Sequence, residues 1–247
     1  MARYRAVVEY DGTDFLGFQR QAKGRTVQGE LEAALGRIGW SGPAVVGAGR
    51  TDTGVHAAGQ VVAFDFDWQH GDGDLARALN ANLPADIAIK TLAGCAPEFH
   101  PRFDARGRRY RYTIVNQPGR SPLAARYAWQ VWPELDGDKL RAASQAVVGR
   151  RDFATFGSDP DPKGGGSTVR TVVLAEWHSG AAGWWAFEIQ AEAFLFRMVR
   201  SLVGALKRVG TGEISVARFE AVLAAADRAE CPPIAPARGL CLMEVLY

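Results

Sequence analysis

The sequence predicts an α+β protein in two halves. Three observations carry this reading. Segments with strand alternation and segments with helical spacing succeed one another in mixed order, no regular βαβ alternation appears, and the pattern restarts with a new strand after about residue 105. A chain of 247 residues, 47% of them hydrophobic, can bury a substantial core and divide in this way. The expected domains are 1–105 and 106–247.

"RYRAVVEY" opens the chain as a strand and runs into a Gly/Asp turn. From about Thr26 a helix is expected, because Val27, Leu31, Leu35 and Ile38 recur at helical spacing. "AVVGAGR" and "QVVAFDFD" read as two strands, so "GRTDTGVHA", residues 49–57, lies on their connection. Loops carried by a rigid sheet are where chemistry tends to sit. A short helix around Leu75 to Asn82 and a strand "DIAIKTLA" complete the first half. The second opens with "RGRRYRYTIV", whose two-residue period puts Arg108, Tyr110, Tyr112 and Ile114 on one face and Arg109, Arg111, Thr113 and Val115 on the other. A helix from Asp136 to Val148, strands "TVRTVVLAEW" and "GWWAFEIQ", helices from Phe194 to Val209 and from Ser215, and a last strand "GLCLMEVLY" follow. "GSDPDPKGGGS", residues 157–167, predicts an exposed, mobile loop.

The net charge of +2 does not by itself imply a polyanionic partner, but its make-up is unusual. Only five of the 29 basic residues are lysines; the other 24 are arginines. Guanidinium grips phosphate bidentately and stacks on bases, although a GC-rich genome also favours arginine codons. Cys95, Cys231 and Cys241 are odd in number and show no CxxC spacing, which argues against a disulfide framework or a zinc site. The chain has no run of eighteen apolar residues and no short apolar leader, so a cytoplasmic protein with no membrane partner is expected.

A single carboxylate, Asp52, stands among glycines and threonines in the 49–57 segment, with Arg50 two residues before it and His56 four after. "DTG" also occurs in aspartic peptidases, but those enzymes need two aspartates sharing a proton, and here the triplet occurs once, beside an arginine that favours the ionised form. On the helix 194–209, Arg197, Arg200, Gly204, Lys207 and Arg208 fall on one side and no acidic residue lies three or four positions from the cations. An ordinary solvated helix face has this pattern; so does a surface that meets a phosphate backbone. "RGRRYRYTIV" interleaves arginine with tyrosine, as suits recognition of unpaired nucleotides, while a tyrosine half-buried against its own sheet is the plainer reading for Tyr112. His70, His100 and His178 suggest structural roles, and His56 a hydrogen bond that orients the loop. No Walker motif, GxGxxG or metal-ligand run is present, so neither a nucleotide cofactor nor a metal is expected.

"EYDGTDFLGFQRQ", "TVQGELEAAL", "GAGRTDTGVHAAGQVVAF", "NANLPADIAI", "EFHPRFDARGRRYRYTIVN", "GRRDFATF", "AFLFRMVRSLVGAL" and "ARGLCL" together resemble, in order and along nearly the whole chain, the tRNA pseudouridine synthase A family. The resemblance implies a homodimeric, cofactor-free isomerase that converts uridine to pseudouridine at positions 38, 39 and 40 in the anticodon stem-loop of tRNA. It also implies the pseudouridine synthase fold, two domains of mostly antiparallel sheet flanked by helices with the active cleft between them. By the same resemblance Asp52 is the catalytic carboxylate, Tyr110 lies against the uracil, Arg200 pairs with the aspartate and Arg50 helps hold the flipped nucleotide. Leu240 is expected as an apolar support for the base, and Arg197, Lys207 and Arg208 as contacts to the RNA backbone. The sequence departs from the family pattern at Phe18, Glu192 and Cys241, which bears on the choice among tRNAs. A non-catalytic RNA-binding protein on the same fold would account for the basic elements but would leave Asp52 and Arg50 without a purpose.

Overall fold

The computed structural model describes residues 1–158 and 166–247. The centre of the loop expected to be mobile, residues 159–165, lies outside the described residues. In chain order the elements are β1 (Ala2–Tyr10), α1 (Val27–Arg37), β2 (Val46–Gly47), β3 (His56–Phe66), α2 (Asp72–Asn82), β4 (Ile87–Gly94), β5 (Gly107–Asn116), β6 (Trp129–Val131), α3 (Gly137–Gln145), β7 (Gly149–Asp152), β8 (Val169–Ser179), β9 (Trp184–Ala191), α4 (Met198–Gly210), α5 (Val216–Ala224) and β10 (Leu240–Leu246). They form two compact units, Met1–Arg106 with Cys241–Tyr247, and Gly107–Leu240.

In the first unit the strand order is β4-β1-β3-β10, with β2 also paired to β3. β1 runs antiparallel to both β3 and β4, and its alternation turns Tyr4, Ala6, Val8 and Tyr10 into the core. β3 is buried on nearly every residue, as a central strand should be. The helices follow the sequence reading. Thr26 caps α1 by accepting the Gly29 amide at 3.3 Å, and Val27, Leu31, Ala34 and Leu35 form its buried face. α2 packs on β4 through Leu75 and Leu79. The "AVVGAGR" strand shrinks to two residues, because Gly49 and Arg50 already belong to the connection.

The last strand belongs to this first unit. A division into 1–105 and 106–247 assigns it to the second half, but β10 pairs in parallel with β3 at Cys241–His56 and Leu242–Ala57. Gly59 permits the approach: a Cβ there would sit 2.3 Å from the Met243 carbonyl oxygen. The Arg106 amide donates to the Leu246 carbonyl at 2.8 Å and the Tyr247 hydroxyl to that of Pro101, also at 2.8 Å. Arg5 stacks on the Tyr247 ring at 4.3 Å. Pairing partners distant in sequence leave no local periodicity, so this return was not legible in the residues.

The second unit has the strand order β5-β9-β8-β7, all antiparallel neighbours, with the short β6 parallel to β5. β6 and β7, of three and four residues, carry too few positions for a readable alternation. α3 packs on β8, where the Trp177 indole donates to the Ser144 hydroxyl at 3.0 Å. α4 begins at Met198 rather than Phe194, since Arg197 takes a left-handed φ of 61° at its N-cap. Among the described residues no helix is long and apolar enough to cross a membrane.

α4 is buried on almost every side, and Gly204 marks its closest approach to the chain: a Cβ there would lie 2.1 Å from the Pro233 carbonyl oxygen. Helix propensity alone favours Gly→Ala by about 1 kcal/mol. Gly204→Ala is nevertheless expected to be destabilising, by about 1–3 kcal/mol, because the collision is with backbone and forces the packing apart. Urea unfolding of the two proteins checks the sign.

Candidate active site

The loop that carries Asp52 is held by its backbone. Thr51 is buried; its hydroxyl shares a 2.7 Å hydrogen bond with the Tyr10 phenol, and its carbonyl accepts the Phe18 amide at 3.1 Å. The Asp52 carbonyl accepts the Val55 amide at 3.1 Å across a turn in which Gly54 has a φ of 77°. Upstream, the Gln60 side chain donates to the Gly49 carbonyl at 2.9 Å. Asp52 is thus partly buried on a fixed turn, with Arg50 exposed beside it. The turn needs a glycine at Gly54, where the positive φ favours a residue without Cβ.

A second segment, residues 12–18, lies directly against this loop. A Cβ on Gly12 would be 1.9 Å from the Val55 carbonyl oxygen, and one on Gly17, at φ 93°, would be 2.7 Å from that of Thr51. Phe15 and Phe18 are buried under the segment, and Arg25 stacks on Phe15 at 4.2 Å while binding Asp86 through both terminal nitrogens, at 2.6 and 2.8 Å. Phe18, a departure from the family pattern, is therefore a core residue of this support. His56 orients the loop as expected: its Nδ1 accepts the Gly12 amide at 3.0 Å. The Asp11 carboxylate is 3.2 Å from the same nitrogen, but an amide can only donate, so Nδ1 serves as the acceptor. Cys241, beside His56 in the ladder, brings the last strand alongside the loop's exit.

Tyr110, Arg200 and Leu240 belong to the second unit. Tyr110 is partly buried on β5 and meets Phe194 edge to face, with ring centroids 5.1 Å apart at 88°. Its neighbours Arg109 and Arg111 converge on one carboxylate, Glu188 of β9, at 2.9 and 2.6 Å. Burial raises the Glu188 pKa, but the two guanidinium groups outweigh that and hold it below its ordinary value. These two arginines are thereby committed to a carboxylate, and this face of the strand is not a bare cationic strip. Tyr112 is fully buried, more so than the half-buried reading, and donates to the Pro236 carbonyl at 2.8 Å; burial pushes its phenol pKa up, against the lowering fields of Arg200 and Arg238.

Arg200 binds one residue twice. Its Nε donates to the Ala235 carbonyl at 2.8 Å, and its own carbonyl accepts the Ala235 amide at 3.1 Å. The segment so fixed leads through Pro236, which holds Tyr112, and Gly239, where a Cβ would strike the Tyr112 ring at 2.6 Å, into the buried Leu240. Arg197 is exposed, its guanidinium 4.7 Å from the Phe196 ring centre. The absence of nearby acidic partners on the basic helix is corrected here. Lys207 and Arg208 both pair with Glu213, the latter at 3.2 Å, because the chain turns back just after the helix ends and brings Glu213 to its last turn. Glu192 accepts the Thr171 amide at 3.0 Å with its carboxylate. Glu188 and Phe194 are the partners that sequence reasoning missed. Glu188 stands alone as a charge in "GWWAFEIQ", but only the strand register reveals what it faces.

The tRNA pseudouridine synthase family model matches residues 6–104 and 143–247, and the chain belongs to that family, whose members are isomerases. Full-length relatives bear the name tRNA pseudouridine synthase A. Those from Pseudothermotoga lettingae (40% identical, covering 99% of each chain), Solidesulfovibrio magneticus (42%, covering all of this chain and 92% of the relative) and Brevibacillus brevis (42%, covering all of both) are examples.

The Glu188 cluster predicts a pH dependence. A carboxylate whose folded pKa is depressed adds stability above its unfolded value, near 4.5, and that stability is lost as the pH falls through the lower folded value. Glu188→Gln is expected to lower unfolding free energy by about 1.5–3 kcal/mol at neutral pH, the scale of hydrogen bonds to charged groups. The gap between variant and parent should close on acidification, as urea unfolding across pH will read.

Proposed function

We propose that the chain isomerises uridine to pseudouridine at positions 38, 39 and 40 of the tRNA anticodon stem-loop, with Asp52 as the one catalytic carboxylate. The observation that carries this reading is a family match over residues 6–104 and 143–247, with full-length relatives, in a chain whose GRTD aspartate stands on a turn locked at Thr51, Asp52 and Gly54. The reaction breaks the bond between ribose and a ring nitrogen and forms one to a ring carbon. A proton leaves that carbon and one is taken up at the nitrogen, so nothing is oxidised and no cofactor is required. A single carboxylate in a fixed position suits that chemistry.

The target base must leave its stack, at a cost of a few kcal/mol, and stacking against an aromatic returns about 1–3 kcal/mol. In this reading Tyr110 lies against the uracil, its ring set by Phe194, and Leu240 supports the base. Arg200 pairs with Asp52 while its backbone and Nε hold Ala235, and Arg50 steadies the flipped nucleotide. The remaining binding energy comes from phosphate contacts, for which the exposed Arg197 is better placed than Lys207 and Arg208, both shared with Glu213. The enzyme acts as a homodimer in the cytoplasm.

Asp52→Asn is expected to abolish pseudouridine formation in a tRNA transcript, by a factor of at least about a thousand, while tRNA binding survives. Comparable turnover by the variant would reject the assignment. Strong binding without isomerisation by the parent protein would favour the non-catalytic RNA-binding reading. Tyr110→Phe separates two roles: retained binding with lost turnover points to proton transfer by the phenol, whereas full activity leaves stacking alone.

A further inference from the structure

Several arginines of the second unit are paired with carboxylates, among them Arg109, Arg111, Arg141, Arg208 and Arg218, but those at the edge strand β7 are not. Arg150 and Arg151 are exposed on it, and the ladder sets Arg151 directly opposite Arg170 of β8. Like charges facing each other across a ladder repel. Among the described residues no carboxylate lies within 4.0 Å of any of these three guanidinium groups. The polar contacts they do make are with backbone: Arg151 Nε donates to the Val148 carbonyl at 3.2 Å, and Arg170 Nη1 to those of Ser167 and Val169 at 2.6 and 2.7 Å. Arg170 Nε is buried with no hydrogen-bond partner. Asp152 accepts the Ala154 amide at 3.0 Å and the Thr168 hydroxyl at 2.6 Å, and Glu220, which lines a cavity beside β7, forms no ion pair among the described residues.

That cavity, about 500 Å³, is walled by Arg150, Arg151, Asp152, Glu220, Leu223 and Ala146, at the meeting of β7 with α3 and α5. β7 is the outermost strand of its unit's order, so it has a free ladder edge. The Phe153 amide donates inward to the Thr168 carbonyl at 3.1 Å, and the two-residue period of the ladder therefore turns the Arg150 and Asp152 amides outward. Arg151 and Arg170 share one face of the ladder, Arg150 follows on the other face, and the outward amides lie along the edge between them; an anion lying along that edge would answer both faces.

We propose that the Arg150–Arg151–Arg170 edge of the second unit binds the phosphate backbone of the tRNA, at a place separate from the residues that handle the target base. The inference rests on the proposed function for the identity of the anion, and on the charge arrangement for the place. Such contacts orient an RNA without reading its sequence, and they weaken steeply as salt rises.

The test is tRNA binding by the full-length protein, measured by fluorescence anisotropy over a range of salt concentrations, for the parent, Arg150→Gln/Arg151→Gln and Arg151→Lys. The double variant should bind more weakly, with a salt slope smaller by roughly one to two, about 0.9 for each phosphate that the protein no longer neutralises. Arg151→Lys should keep most of the parent slope. Unchanged affinity and slope in the double variant would overturn the proposal, as would equal losses in Arg151→Lys, which would mark a geometric role. If the double variant does not fold, Arg150→Gln alone decides, since its side chain makes no hydrogen bond among the described residues. Mapping the nucleotide that the parent modifies tests the proposed function separately, because binding and its salt slope do not depend on which uridine reacts.

Discussion

The buried 2.7 Å hydrogen bond between the Tyr10 phenol and the Thr51 hydroxyl is the contact on which the loop of the first unit depends. It ties the end of the opening strand to the residue just before the candidate carboxylate. The Phe18 amide holds the other side of the same residue, so Thr51 is gripped by side chain and main chain alike. Asp52 cannot shift without breaking one of these bonds or the turn to Val55. A reacting carboxylate gains from such restraint, since positioning in advance of binding removes a cost that would otherwise fall on the reaction. The glycines at 12 and 17 belong to the same device, letting main chain rest on main chain where a side chain would force the layers apart.

In the second unit arginine is used in two quite different ways. Glu188 gathers Arg109 and Arg111, and Glu213 gathers Lys207 and Arg208. These groups build and brace the protein; their charge is largely answered before any ligand arrives. Arg151 and Arg170, at the edge of the same sheet, meet backbone carbonyls and no carboxylate among the described residues. An arginine-rich composition therefore says little about RNA contact by itself, and what separates the two uses is the presence or absence of a carboxylate within reach.

Much of this was legible in the residues. The helical spacing of Val27, Leu31 and Leu35, the capping Thr26, the alternation in "RYRAVVEY" and "RGRRYRYTIV", and the lone acid between two strands all report local geometry, which sequence encodes directly. What escaped depends on folding over distance. Glu213 reaches the basic helix only because the chain doubles back, and Glu188 meets its arginines only in one strand register. The start of α4 slipped by four residues because the apolar pattern runs on through Phe194 and Leu195, while a left-handed Arg197 breaks the backbone. Candidate residues carried by motif, such as Asp52 and Tyr110, were easier to find than the neighbours that aim them.

The return of β10 to the first unit has a consequence for how the molecule comes into being. Its first unit is discontinuous, with the whole of residues 107–240 spliced between Arg106 and Cys241. β10 follows residues 107–240 in the chain, so the sheet beside His56 gains this strand only after the whole second unit has been made. A fragment ending at Arg106 would leave β3 with a raw margin ready to pair with other chains. The loop that bears Asp52 draws its own restraints from residues 10–60, whereas the strand at its exit waits for a neighbour made more than 180 residues later.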